Sequence, residues 1–327
     1  MRRLFKWIGI VFAVVIVALI AGWLALQRAD IAFDKLEAKY ANSQSRFMDM
    51  PDGVRLHYRD EGLRGGPTLV MVHGFSASLH AWAPWVARLG DRYRIISLDL
   101  PGHGLTRAPK GYAASIDGYA DLVDQAANRL GAGPYVVIGN SMGGDVAWHV
   151  ALRHPGSVRA LVLVDAAGWP DQASPKDGPL IFKLLRNPMA RALIRNIDTR
   201  LLAKDGLEKA YLDHALVTPA LLDRYAELAR APGHRDILLT IRQDQPGSIT
   251  TQTFKAIHVP TLVMHGEQDA LIPLAQGQGF AGSIVGAKLV TYPKVGHVPM
   301  EQIPDQSAQD LRAFLIALPP IAAIASR

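Results

Sequence analysis

The stretch VVIGNSMGGDVAW, Val136 to Trp148, constrains the fold more than any other part of the chain. Val136, Val137 and Ile138 make a β-branched run of the kind that forms a short buried strand. From Met142 to Leu152 apolar residues recur at helical spacing, with few breakers after Gly144. Ser141 therefore falls on the corner between a strand and a helix, flanked by Gly139 and Gly143 in a G-x-S-x-G pattern. A serine on so sharp a turn has an exposed side chain, and small neighbours let the backbone bend there. The competing reading is a Gly-rich turn closed by a capping serine, since Ser is a favoured helix N-cap. A base, an acid and an oxyanion site elsewhere in the chain would decide between them.

Strand signals recur along the sequence at Arg46–Met50, Val54–Arg59, Thr68–His73, Tyr93–Asp99, Tyr135–Gly139, Arg159–Asp165, Thr261–Gly266 and Lys288–Tyr292. The first two are separated by a PDG turn. The later strands alternate with helical patterns at Ala81–Leu89, Ile116–Leu130, Gly144–Arg153, around Leu274–Gly279 and at Asp305–Leu318. Such alternation predicts a mostly parallel, eight-stranded sheet with helices on both faces. One interval breaks the rhythm. Between Gly168 and Val259 no convincing strand is found and helical pattern dominates, which reads as a helical cap over the carboxyl ends of the strands.

At the amino terminus, Trp7 to Leu26 carries no charge and no strongly polar side chain. As a helix it would be about 30 Å long, the thickness of a bilayer's hydrocarbon core. Trp7 and Trp23 lie near its ends, where amphipathic rings favour the interface. Arg2, Arg3 and Lys6 precede it without an acid among them, so the positive-inside rule places Met1 in the cytoplasm. Everything after residue 27 then lies on the outer or periplasmic side. A cleaved signal peptide is the alternative, but the apolar run is longer than usual and LALQRAD offers no clean small-x-small site. The expected organisation is thus an anchor over 1–27, a polar spacer or short helix over 28–45, core over 46–168, cap over 169–250 and core again over 251–327.

Composition narrows the chemistry. The 327 residues contain no cysteine, which excludes disulfides, thiolate metal sites and cysteine nucleophiles. A hydrophobic share of 49% with 20% charged residues describes a globular chain with a sizeable core. Half of the net charge of +6 belongs to Arg2, Arg3 and Lys6, and no dense basic block follows, so nucleic acid is set aside as a partner. No motif implies a metal or an organic cofactor.

Three further motifs fall at the carboxyl ends of predicted strands: TLVMVHGFSA turning at Gly74 and Phe75, TLVMHGEQDALIP presenting Asp269, and LVTYPKVGHVPMEQIPD presenting His297. A serine hydroxyl is a poor nucleophile until a base takes its proton, which His297 can do near neutrality. An acid, Asp269, would hold the imidazole in one tautomer and stabilise its cation. The N–H groups of Met142, just after the serine, and of Phe75 are the natural oxyanion donors. Asp165, at the end of ALVLVDA, is the alternative acid, while Asp99 and Asp145 are weaker candidates. His73 and His103 read as residues that shape their loops.

In order, VMVHGFSAS, ISLDLPGHGLT, VVIGNSMGG, TLVMHGEQDALIP and VGHVPMEQIPD strongly resemble the α/β-hydrolase superfamily, over residues 46–165 and 255–318. With the anchor, HGFSA, DLPGHG and SMGG look like the membrane-anchored monoacylglycerol lipase and carboxylesterase branch. The resemblance implies an α/β-hydrolase fold with a cap and an N-terminal transmembrane helix. It also implies Ser141 as nucleophile, Asp269 as acid, His297 as base, and Phe75 and Met142 as oxyanion donors. The expected activity is hydrolysis of carboxylic esters, of lipid or monoacylglycerol type, through an acyl-enzyme. GNSMGG is shared with carbon–carbon bond hydrolases of dienoate ring-fission products and is similar to the elbow of cofactor-free haloperoxidases and perhydrolase-like esterases. For an acidic dienoate, Arg186, Arg191 and Arg195 are candidate contacts. Between Lys176 and Lys209 eight cations face four acids, interleaved with Ile181, Phe182, Leu184, Leu185, Met189, Leu193 and Ile194. That pattern suits either an anionic bilayer surface or a solvated cap helix packed on the core. An anchored binding protein on a dead hydrolase fold is the non-enzymatic alternative.

Overall fold

The computed structural model of the chain describes residues 2–170, 187–241 and 249–319. Its strands are β1 (Ser45–Asp49), β2 (Arg55–Gly62), β3 (Thr68–Val72), β4 (Arg94–Leu98), β5 (Tyr135–Asn140), β6 (Val158–Val164), β7 (Thr261–Gly266) and β8 (Lys288–Tyr292). They form one sheet in the order β1-β2-β4-β3-β5-β6-β7-β8. β2 runs antiparallel to β1 and β4, and the other neighbouring pairs are parallel.

The parallel strands are apolar on both sides because both sides are covered. In β3, Val70 and Val72 enter one core, while Leu69 and Met71 enter the other. Helices α4 (Ile116–Arg129), α5 (Met142–Arg153) and α11 (Leu274–Ser283) bring Tyr119, Val146 and Phe280 to the first core. Helices α3 (Ala83–Leu89) and α13 (Pro304–Ile316) bring Trp85 and Leu311 to the second. Each fully buried aliphatic side chain of this kind contributes roughly 1.5–3 kcal/mol by leaving water.

Between β6 and β7 the described residues are helical: α6 (Pro188–Ile194), α7 (Thr199–Ala210), α8 (Pro219–Leu228), α9 (His234–Thr240) and the short α10 (Thr251–Phe254). Their starts are chemically defined. The side chains of Asn187, Asp198 and Thr218 accept N–H groups in the first turns of α6, α7 and α8. Of the basic cap pattern, residues 176–186 lie outside the described residues.

Helix α1 (Arg2–Ala25) contains one apolar stretch, Phe5–Ala25, of mean hydropathy 2.8 and no burial, long and apolar enough to cross a membrane. The chain that follows it is a docked strap rather than a loose spacer. Gln27 bridges Ile197, Arg28 N–H donates to Asn196 O at 2.7 Å, and Asp198 N–H donates to Leu26 O at 2.8 Å. Helix α2 (Phe33–Tyr40) buries Leu36 beside Leu105, Leu228 and Ala231.

Candidate active site

Ser141, Asp165, Asp269 and His297 emerge at one edge of the sheet because the parallel strands β5, β6, β7 and β8 all end there. Ser141 follows β5 directly and adopts φ 56° and ψ −123°, a left-handed strain typical of functional sites. Its own backbone makes the turn, which corrects the role assigned to its neighbours. Gly139 and Gly143 are needed for close approach: a Cβ on Gly139 would lie 1.9 Å from Gly143 O, and one on Gly143 would lie 2.1 Å from Val72 O. Helix α5 accordingly begins at Met142 and not at Gly144. The capping alternative fails, because the Ser141 side chain makes no capping hydrogen bond.

Across from the serine, His297 Nδ1–H donates to Asp269 Oδ2 at 2.7 Å. This bond fixes the proton on Nδ1 and leaves the Nε2 lone pair available, the tautomer a general base needs. Asp269 is in turn held by the N–H groups of Leu271 at 2.7 Å and Ile272 at 3.0 Å, both on Oδ1. Burial acts to raise its carboxyl, but the charge and hydrogen bond of His297 and the Ile272 N–H outweigh it, so the group sits below the usual carboxylate range. Asp165, the alternative acid, is fully buried beneath this loop, where it accepts Gly266 N–H at 2.8 Å.

Ser141, His297, Phe75 and Gly74 line one cavity of about 150 Å³, closed on the far side by Ile194, Leu202, Leu207, Leu238 and Leu239 from the cap. The Gly74–Phe75 backbone passes against the serine, since a Cβ on Gly74 would lie 3.1 Å from Ser141 Cβ. His73 secures that loop: its Nδ1–H donates to Gly74 O at 2.8 Å and its Nε2 accepts Leu100 N–H at 3.1 Å. Burial keeps it neutral, with a pKa below the ordinary value. Asp99 is consumed by His57 at 2.7 Å and by the N–H groups of Leu79 and Leu105. His103 turns back to Pro101 O at 3.2 Å, and Asp145 lies on α5 beside His149.

Three residues escaped the sequence reading. Asn140 Nδ2 donates to Val164 O at 3.2 Å and His297 O at 3.0 Å, tying the nucleophile strand to the histidine loop. Only its place before Ser141 marked it. The cap grips the same loop, with His297 N–H donating to Ala210 O at 2.8 Å. Arg235 lines the cavity but is engaged by Asp30 at 2.5 Å and by Arg28 O at 2.9 Å, both from the strap. Arg195, also at the cavity, pairs with Asp236, and Arg191 donates to Leu239 O at 3.3 Å. Arg186 lies outside the described residues.

Asp165, His265 and Asp269 bring ligand-type atoms within 4.8 Å of one another. The donor set does not suit a metal: the near ring nitrogen, His265 Nε2, carries the proton that goes to Ile272 O at 3.0 Å, so its lone pair is not offered to the carboxyls.

A family model described as alpha/beta hydrolase fold matches residues 67–303, and the chain belongs to this family. It is 28% identical over 255 residues to the pimeloyl-[acyl-carrier protein] methyl ester esterase of Nitrosomonas europaea, covering 74% of this chain and 92% of that protein. It is 29% identical over 253 residues to the 2-hydroxymuconate semialdehyde hydrolase of a Pseudomonas species, covering 75% and 84%. Among solved structures, a membrane phospholipase A described as a bacterial virulence factor superposes with a TM-score of 0.69 at 25% identity, over 97% of this chain and 99% of that one. The protein is an α/β hydrolase.

Proposed function

We propose that this chain is a membrane-anchored serine hydrolase that cleaves carboxylic esters of lipid-like substrates through an acyl-enzyme. The observation that carries the reading is a single apolar cavity lined by both Ser141, whose hydroxyl is not spent on capping, and His297, whose ring is set by Asp269. In this scheme Ser141 Oγ attacks the ester carbonyl while His297 Nε2 takes its proton. The N–H groups of Phe75 and Met142 hold the oxyanion, each worth about 2.7–4 kcal/mol of barrier. Collapse returns the proton to the departing alcohol, and water, activated by the same histidine, releases the acid and restores Ser141.

Two features support a lipid substrate. The cavity wall given by the cap is aliphatic, and Arg195 and Arg235, the cations at its edge, are already paired with carboxylates, which disfavours an acidic dienoate. The cap also adjoins the anchor: Trp23 Nε1–H donates to Leu193 O at 3.0 Å, and Met189 and Leu193 are 77% and 57% exposed beside it. With the cationic end of α1 in the cytoplasm, the catalytic part would stand on the outer face of the membrane, its cap against the bilayer. The test is hydrolysis of p-nitrophenyl esters from C2 to C16 by the full-length chain in detergent micelles, with Ser141→Ala as control. A medium or long acyl optimum and a loss of about 10⁴-fold or more in the variant are expected. Silence on every ester, with turnover of a dienoate, would replace this reading with carbon–carbon bond hydrolysis.

A further inference from the structure

Asp165 and Asp269 form a buried pair of carboxyls whose proton inventory can be read from their partners. Asp269 receives three donors, from Leu271 N–H, Ile272 N–H and His297 Nδ1–H. Asp165 receives one, Gly266 N–H on Oδ1, and among the described residues its buried Oδ2 meets no donor. The other titratable groups facing Asp165 are His265, whose Nε2 stands 3.7 Å from Asp165 Oδ1, and the Tyr292 phenol of β8. His265 supplies no compensating cation: burial pushes its pKa down, and its Nε2–H is directed at Ile272 O. Two adjacent carboxylates in so dry a place cannot both stay ionised. Asp269, with the larger set of donors, keeps the charge, and the proton falls to Asp165 Oδ2, where it satisfies the otherwise orphaned atom.

We propose that Asp165 is a neutral carboxylic acid that donates its proton to the Asp269 carboxylate and thereby sets the basicity of His297, a positioning residue for the triad and not its spare acid. This rests on the triad proposed above. A fourth donor on Asp269 spreads its charge and weakens its hold on the imidazolium, so His297 stays neutral and competent to lower pH. Burial and the Asp269 charge both hold the Asp165 carboxyl well above its ordinary range, as the arrangement requires. The backbone at φ 45° is one that Asp and Asn tolerate better than other side chains.

The test is the pH dependence of Ser141 labelling by a fluorophosphonate probe in the full-length chain, which reads the ionisation of His297 without assuming an acyl substrate. Asp165→Asn keeps a donor and stays uncharged, so its acidic midpoint is expected within roughly 0.3 unit of wild type. Asp165→Gly removes the donor without straining the backbone, and its midpoint is expected about one unit higher. A structural role alone would lower thermal stability and leave both midpoints in place. A midpoint about one unit lower in the Asn variant, the response to losing a negative charge, would overturn the proposal, as would an unmoved midpoint in the Gly variant. Should the Gly variant fail to fold, Asp165→Ala, which also lacks a donor, is expected to show the same rise of about one unit, and an unmoved midpoint in it would overturn the proposal. A wild-type chain that the probe does not label would instead overturn the triad reading, and this inference with it.

Discussion

Ser141 and Asn140 divide the work of the corner between them. The serine takes the strained backbone, at about 1–3 kcal/mol, so that its hydroxyl clears both the strand and the helix. Asn140 anchors the same corner sideways to β6 and to the His297 carbonyl. Its Oδ1 also lies beside Gly74, where an added Cβ would come within 3.3 Å, so one amide joins the nucleophile, base and oxyanion segments. Replacing Asn140 by Ala is expected to lower kcat about tenfold or more with little change in KM, because it loosens geometry and leaves the cavity wall intact. Steady-state kinetics on a soluble ester checks this, and an effect confined to KM would contradict it. At this scale the sequence was legible in part. The positions of Ser141, Asp269 and His297 follow from the strand ends, and the GEQDALIP loop favours Asp269 over Asp165 by placing it next to the histidine loop. Reach decides between the two: Asp269 stands three residues past the end of β7, on a loop that meets the histidine, whereas Asp165 follows β6 immediately and points under Gly266.

Elements follow the same rule that regular periods are readable and docking is not. The bounds of β7 and β8 match the residues whose patterning marks them, and β2 runs on to Gly62 because it pairs with β4 that far. The seam between cap and core carries no such pattern. It is made where Ala210 O at the end of α7 accepts His297 N–H, and where Glu301 of α12 (Pro299–Gln302) meets Tyr211, Arg224 and Tyr225. Burial raises the Glu301 carboxyl from its ordinary value to about 7, against the lowering effects of the neighbouring Tyr211 hydroxyl and the Arg224 charge. The folded chain therefore binds this proton where the unfolded chain has released it. Stability is highest at the acid end of the window and declines as pH rises from about 4.5 to about 7. Glu301→Gln removes the charge and keeps the size and shape of the side chain, so it is expected to stabilise the chain at pH 8 by on the order of 2 kcal/mol and to have little effect at pH 4. Thermal or urea unfolding at the two pH values checks this. Wild type and variant keeping a constant difference across the range would contradict it.

For the whole molecule, helix α1, the strap and the cavity are physically continuous. Trp23 reaches Leu193, residues 26–28 pair with 196–198, and Asp30 holds Arg235 at the cavity wall. Nothing in the local sequence of residues 28–45 announced this docking, because it is made by backbone bridges and single ion pairs between segments far apart in the chain. The long apolar run, by contrast, was legible from composition alone. The central claim is that this assembly presents Ser141 as a nucleophile activated by His297. The most direct test is to treat membranes carrying the full-length chain with a fluorophosphonate and locate the adduct by peptide mass spectrometry. The expected result is one adduct on Ser141, formed far more slowly when His297 is replaced by Ala. An adduct at another residue, or labelling of Ser141 indifferent to His297, would contradict it.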